Sequence, residues 1–274
     1  MSHFYQPLNS NGNIRILQIT DTHLFAKQND KLLGINTAQS FQAVIDAILE
    51  TKFDYELILA TGDLVQDYDE QGYHHFVNMV KPLKKKVFWL QGNHDQPQMG
   101  NVLASYPQIS PLKHILIGEL WQIIMLDSQV FGVPHGKLGS QQLKWLQKKL
   151  EQNPNRHTLI ALHHNILPTH SAWLDQHSLR NIHDLSNVLK PYKNIKAIIH
   201  GHIHQEMDKI WNGIRILSTP STCIQFKPYS NNFALDFIPQ GWRELTLLPD
   251  GTIDTQVKRL TTNQFIPDFN AEGY

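Results

Sequence analysis

Seven side chains in this sequence sit in short clusters that suit metal chemistry: Asp21 and His23 in D-T-H, Asp63 in G-D, Asn93 in G-N-H-D, His163 in H-H, and His202 and His204 in G-H-I-H. They supply carboxylate, amide and imidazole donors without a thiolate, a mixture that suits borderline and hard cations such as Mn, Fe, Zn or Co. So many donors exceed the needs of one ion but fit two ions that share a bridging carboxylate. Two metals a few ångströms apart are a standard device for phosphoester hydrolysis, since they activate water and neutralise the charge that grows on phosphate oxygens. Singly, each motif is weak. A D-x-H often caps a turn, a G-D often ends a strand, and paired histidines such as His74 and His75 are commonly exposed. Their weight comes from occurring in order, each after an apolar run.

Those runs are the elements that must position the donors. Residues 14–20 (IRILQIT), 55–63 (YELILATGD), 86–95 (KVFWLQGNHD), 157–164 (HTLIALHH) and 195–204 (IKAIIHGHIH) read as buried strands that end in Asp, Asn or His. Helical patterns at 36–50, 70–83, 140–153 and around 179–189 separate them. The βαβαβ alternation predicts a mainly parallel core with helices packed outside, and parallel strands present their carboxyl ends along one edge. Within D-T-H and G-H-I-H the paired donors are two residues apart, so on extended backbone both would point the same way. Gly62, Gly92 and Gly201 fit sharp strand exits with close backbone approach. Residues 114–128 read as adjacent strands, and strand-like runs from Lys209 to Leu260, with a turn at Pro249-Asp250-Gly251, predict a second sheet. One domain over residues 1–274 is expected, with its core at 14–260 and loose termini.

Composition narrows the function classes. The 24 basic and 24 acidic residues balance, and the tight basic run Lys84-Lys85-Lys86 is short, so a nucleic-acid surface has little support. Cys223 is the single cysteine, which excludes an internal disulfide. No stretch approaches the roughly 18 apolar residues of a spanning helix. The polar opening MSHFYQPLNSNGN lacks the pattern of a secretory signal, and a cytoplasmic location is expected.

The motif set D-x-H, G-D, G-N-H-D, H and G-H-x-H resembles that of the calcineurin-like metallophosphoesterase superfamily. Within it the chain is most similar to the class III 3′,5′-cyclic-nucleotide phosphodiesterases, through GDLVQD (62–67), GNHDQP (92–97), GVPHGKLGSQQLKWL (132–146), STPSTCIQF (218–226) and GWRELTLLPDG (241–251). The resemblance implies a four-layer α/β/β/α sandwich with two metal ions, drawn from iron, manganese and zinc. It implies Asp21, His23 and His204 on one ion, Asn93, His163 and His202 on the other, and Asp63 between them. The implied reaction is hydrolysis of 3′,5′-cyclic AMP to AMP by a hydroxide shared between the ions, with His94 protonating or hydrogen-bonding the leaving oxygen and Asp95 orienting its ring. Asn93, His94, His135 and His164 are expected to face the substrate. Gln66 and Asn165 depart from the residues usual at those places, which bears on how the ligands are braced.

The same chemistry would serve 2′,3′-cyclic nucleotides, glycerophosphodiesters or phosphomonoesters, since metals read phosphate and not base. A scaffold protein that had lost the chemistry should show broken motifs, and none is broken here. The partner expected is a small phosphodiester, with no nucleic acid or membrane, in a monomer or homodimer. His74, His75, His114, His157, His170, His177, His183, His200 and Cys223 are read as ordinary surface or core residues.

Overall fold

The computed structural model describes residues 3–5 and 12–273, so most of the polar opening stretch lies outside the described residues. In chain order the elements are β1 (His3–Tyr5), β2 (Ile14–Ile19), β3 (Lys31–Leu32), β4 (Ile35–Asn36), α1 (Thr37–Glu50), β5 (Leu57–Thr61), α2 (Glu70–Val80) and β6 (Lys86–Leu90). There follow α3 (Met99–Leu103), β7 (Ile109–Ser110), β8 (His114–Ile117), β9 (Trp121–Met125), α4 (Ser140–Gln152), β10 (His157–Ala161), α5 (Ala172–Asp175) and α6 (Ile182–Leu189). The chain closes with β11 (Ile195–His200), β12 (Met207–Trp211), β13 (Ile214–Ser218), β14 (Gly241–Leu247) and β15 (Ile253–Arg259). The helix starts follow local chemistry: the Asn36 side chain accepts from Gln39 N at the head of α1, and that of Asp69 from Gln71 N at the head of α2.

Two large mixed sheets result, one in the order β15-β14-β2-β5-β6-β7 and the other β1-β8-β9-β10-β11-β13-β12. Three separate cores hold four layers together. Phe41, Val44 and Ile48 of α1 and Phe76 and Val80 of α2 pack on Leu17, Ile19, Ile58 and Val87 of the first sheet. Leu146 and Leu150 of α4 and Leu185 and Leu189 of α6 pack on Ile124, Ile160, Ile198 and Ile216 of the second. Between the sheets lie Ile14, Ile16, Leu57, Leu59 and Phe88 from one side and Ile123, Leu159, Ala197 and Leu217 from the other. The strands are buried on both faces, which is why they read as continuous apolar runs and not as alternating ones. Each such Leu or Ile contributes roughly 1.5–3 kcal/mol by leaving water.

The four-layer sandwich matches the expectation, but two details differ. The C-terminal strands form no sheet of their own: β12 and β13 extend the second sheet, and β14 and β15 the first. The donor-bearing strands also divide, with β2, β5 and β6 in one sheet and β10 and β11 in the other. The strand ends converge because two stacked sheets share one rim. A buried polar link crosses between the sheets under that rim. The Gln18 amide donates to Thr61 Oγ1 at 3.0 Å and to the His200 carbonyl at 3.2 Å, and its oxygen accepts from Thr219 Oγ1 at 2.7 Å.

Candidate dinuclear metal site

Backbone hydrogen bonds set the donor loops in register. Asp21 N donates to the Gly62 carbonyl, His23 N to that of Asp63 and Leu24 N to that of Leu64, each at 3.0 Å. Within the second sheet, Gly201 N donates to the His163 carbonyl at 3.2 Å, and across the sheets Ser221 Oγ donates to the Asp21 carbonyl at 2.7 Å. The result brings all seven residues together. Asp21 Oδ1 lies 3.4 Å from His204 Nε2, Asp63 Oδ2 lies 3.2 Å from His163 Nε2 and 3.9 Å from His23 Nε2, and Asn93 Oδ1 lies 3.3 Å from His163 Nε2. His202 joins through its backbone N–H, which donates to both Asp21 carboxylate oxygens at 3.1 Å. Its ring lies 5.0 Å from that of His163.

The local geometry departs from the extended backbone expected of D-T-H and G-H-I-H. Asp21 (φ 54°), His23 (46°), Asp63 (51°), His202 (69°) and His204 (48°) all occupy the left-handed region, where a residue with a Cβ is strained. A strand pleat would send alternate side chains to one face of a sheet, whereas these turns aim them past its end. The glycines serve close approach. A Cβ on Gly92 would stand 2.1 Å from Asp63 Oδ1, and one on Gly62 2.4 Å from His163 Nδ1.

Protonation is arranged for ligation. His163 Nδ1 faces the Thr61 carbonyl at 2.8 Å, His204 Nδ1 the Ile224 carbonyl at 2.9 Å, and His23 Nδ1 the Gln66 side-chain oxygen at 2.6 Å. An oxygen acceptor fixes a proton on Nδ1 and turns Nε2 inward, as in metal-binding histidines. At His163 burial is outweighed by the Asp63 carboxylate, which holds the ring up at about 9, so a cation there would displace the Nε2 proton. Burial alone would raise the carboxyls of Asp21 and Asp63, but facing histidines, His204 and His163 foremost, hold both below the usual carboxylate range. Burial pushes His23 down to about 3, against the pull of Asp63, and lowers His164 and His202 as well.

These residues fit a pair of cations. Two carboxylates sit fully buried side by side with imidazoles, and His202 Nε2 is buried without a hydrogen-bond partner. Buried charge and buried orphan donors of this kind are costly unless an ion completes them. Four overlapping groups of three have ligand atoms within 4.8 Å of one another: Asp21, His23, His204; Asp21, Asp63, His163; His23, Asp63, His94; and His163, His164, His202.

The remaining expected residues divide. His94 donates its backbone N–H to Asp63 Oδ1 at 2.8 Å, and its ring stands edge-on to His23 at 5.1 Å. Asp95 ties the two donor loops together. Its buried carboxylate accepts from Gly92 N at 2.8 Å, Leu64 N at 3.0 Å and Tyr73 OH at 3.2 Å, pinning the G-D loop to the G-N-H-D loop because those amides have no strand partner there. Burial, with the Asp63 charge behind it, pushes the Asp95 carboxyl up to about 7. His164 lies among the donors, its ring 4.7 Å from that of His202 and its Nδ1 2.7 Å from Ser128 Oγ. Gly136, which follows His135, packs on His164, so the G-V-P-H-G loop does border the site. Gln66 braces His23, and Asn165 donates to the Leu167 carbonyl at 2.8 Å and to Ser178 Oγ at 2.9 Å.

A cavity of about 490 Å³ opens beside Asn93, His94 and His202, and His177, Trp173, Tyr68 and Phe233 also line it. None of these four was singled out from the sequence. Tyr68 lies on the loop after Asp63, where its hydroxyl donates to the Asn93 carbonyl at 3.4 Å, whereas Trp173, His177 and Phe233 belong to no donor motif and only chain folding brings them to the rim.

A two-sheet sandwich with a carboxylate and imidazole cluster at its rim defines a metallophosphoesterase, and the chain belongs to the calcineurin-like phosphoesterase family, whose model matches residues 14–206. Nearly the whole chain finds curated relatives. It is 53% identical over 262 residues, 95% of each chain, to the protein named 3′,5′-cyclic adenosine monophosphate phosphodiesterase CpdA of Haemophilus influenzae. It is 53% identical over 98% of each chain to the protein of the same name from Escherichia coli K12. Among solved structures, a dimetal phosphatase from Danio rerio shares the fold at a TM-score of 0.61 and 12% identity, covering 90% of this chain and 98% of that one. No helix among the described residues is long and apolar enough to cross a membrane.

Proposed function

We propose that this chain hydrolyses 3′,5′-cyclic AMP to AMP. The observation that carries the reading is 53% identity, over 95% of both chains, to a relative that bears that name, with all seven donor residues gathered at one rim. In this reading Asp21, His23 and His204 hold one ion, Asn93, His163 and His202 the other, and Asp63 serves both. The pair is drawn from iron, manganese and zinc, the enzyme works in the cytoplasm, and residues 1–274 act as one domain with its core at 14–260. Bound ions of this kind supply Lewis acidity and an activated water at neutral pH.

The chain's own groups do the rest. Attack at phosphorus forms one P–O bond and breaks the bond to the ribose 3′-oxygen, which must take up a proton. His94, half-buried and lining the cavity, is placed to deliver it. Its position is held by its own N–H on Asp63 Oδ1, so proton donor and shared ligand move together. Asp95 locks the two loops that carry Asp63 and Asn93, and His135 and His164 border the substrate's phosphate.

The test is hydrolysis of 3′,5′-cAMP, 3′,5′-cGMP, 2′,3′-cAMP and an aryl phosphodiester by metal-reconstituted protein, with elemental analysis of the active form. A clear preference for 3′,5′-cAMP is expected. Equal turnover of all the diesters would replace this reading with that of a broad-specificity phosphoesterase.

A further inference from the structure

We infer that the cavity beside the metal site is a nucleobase subsite, walled by Trp173 and Phe233 and closed by Glu272, which helps select a nucleotide over other diesters. This rests on the cyclic-nucleotide reading above and deepens it.

The cavity has two unlike ends. At one end stand Asn93, His94 and His202, where a phosphate must lie to be cleaved. At the other stand Trp173, Phe233 and Tyr68. Trp173 on α5 packs edge-on against Phe233 at 5.1 Å and against Phe226 at 5.0 Å, and Phe226 in turn stacks on the His204 ring at 4.3 Å. The aromatic wall is thus built outward from a metal-facing histidine, which fixes its distance from the phosphate end. Planar π surfaces of this kind accept a flat heteroaromatic ring of any sequence identity.

Charge completes the assignment. Among the described residues that line the cavity none is Lys or Arg, and Glu272 is the one carboxylate. An anion there repels phosphate and attracts hydrogen-bond donors, so Glu272 faces the amine or hydroxyl donors of a nucleoside. Its placement is not accidental to the fold. Asp268 N donates to the Leu33 carbonyl at 2.8 Å, Asn270 N to Asp268 Oδ1 at 3.0 Å and Ala271 N to the Asp268 carbonyl at 3.1 Å, while Phe269 stacks on Phe237 at 4.2 Å. These contacts fold the segment after Leu260 back over the rim and bring Glu272 and Gly273 to the cavity mouth.

The test uses the full metal-loaded chain, with Glu272→Ala, an exposed position that carries no folding risk, and Trp173→Leu as the second variant. Steady-state kinetics are measured on 3′,5′-cAMP and on methyl riboside 3′,5′-cyclic phosphate, which has no base, and adenosine binding is measured by calorimetry. In the Trp173 variant KM for cAMP and Kd for adenosine should each rise about tenfold, the scale of one lost base–aromatic contact, and the preference in kcat/KM for cAMP over the baseless compound should fall by a similar factor. The Glu272 variant should shift in the same direction on the same two readouts. Equal losses on both substrates, or unchanged adenosine binding in both variants, would overturn the subsite. A wild-type chain that cleaves the baseless compound but not cAMP would instead remove the proposed activity, and adenosine binding would still decide the pocket.

Discussion

His23 Nδ1 and Gln66 Oε1 stand 2.6 Å apart, so one of the two residues that depart from the family pattern sets the tautomer of a candidate ligand. Replacing Gln66 with Leu removes the acceptor that keeps the His23 proton on Nδ1. Metal affinity should fall about 10- to 100-fold, the usual effect of losing such a brace. Gln66→Glu restores an acceptor and should recover it. Metal titration by calorimetry checks both variants; unchanged affinity in Gln66→Leu would remove the bracing role.

His94→Ala tests the division between metal binding and proton delivery. Turnover of cAMP should drop about 10²- to 10⁴-fold with both metals retained. A substrate whose leaving group needs no proton, such as an aryl phosphodiester, should lose much less. Loss of metal in elemental analysis would assign His94 to ligation, in keeping with its place in a donor group with His23 and Asp63.

Gly92→Ala probes close approach without touching a donor. A Cβ there meets Asp63 Oδ1 at 2.1 Å, so Asp63 must shift, and the ions that share it should be held more weakly. We expect turnover and metal content to fall together, by about tenfold or more on the scale set by disturbing ligand support. Gly139→Ala is the control, since a Cβ there meets nothing within 4 Å.

Lys113 offers a pH test away from the donors. Its ammonium lies 3.3 Å from the centroid of the Trp89 ring and donates to the Trp89 carbonyl, and burial pushes it down to about 7 although Asp127 opposes the shift. A lysine depressed in the folded state has lost its proton there between about 7 and the ordinary value of 10.5, while the unfolded chain still holds one. The position therefore costs stability most below pH about 7, and stability rises with pH through that window. Lys113→Met should gain on wild type at about pH 6, and the gain should shrink by about 1 kcal/mol or more by about pH 9. Urea midpoints at the two pH values measure it; a gap that does not change with pH would mean the folded-state ammonium is not depressed.

The donors and the strands beneath them were legible in the sequence because both signals are local. Buried apolar runs that stop at Asp21, Asp63, Asn93, His163 and His202 declare strand ends, and donor type declares the chemistry. Helix α1 was equally legible, since Asn36 and the apolar spacing behind it lie within a few residues of one another. Much less could be read of what depends on distant pairing. The division of the five strands between two sheets follows from which strands hydrogen-bond, as when Gly201 N meets the His163 carbonyl, and no local pattern encodes that. The left-handed turns at Asp21, His23, Asp63, His202 and His204 are strained for residues with a side chain, so local preference argues against them, and only the surrounding structure holds them. The bonds that tie Asp95 to Leu64 N and Tyr73 OH, 31 and 22 residues away, carry no local signal either. Trp173, His177 and Glu272 carry no motif at all; packing alone, through contacts such as Phe269 on Phe237, brings them to the rim. By itself the sequence determined which atoms can bind metal. The tertiary structure decided where they point and what stands opposite them, because those outcomes depend on the closure of long loops between packed layers.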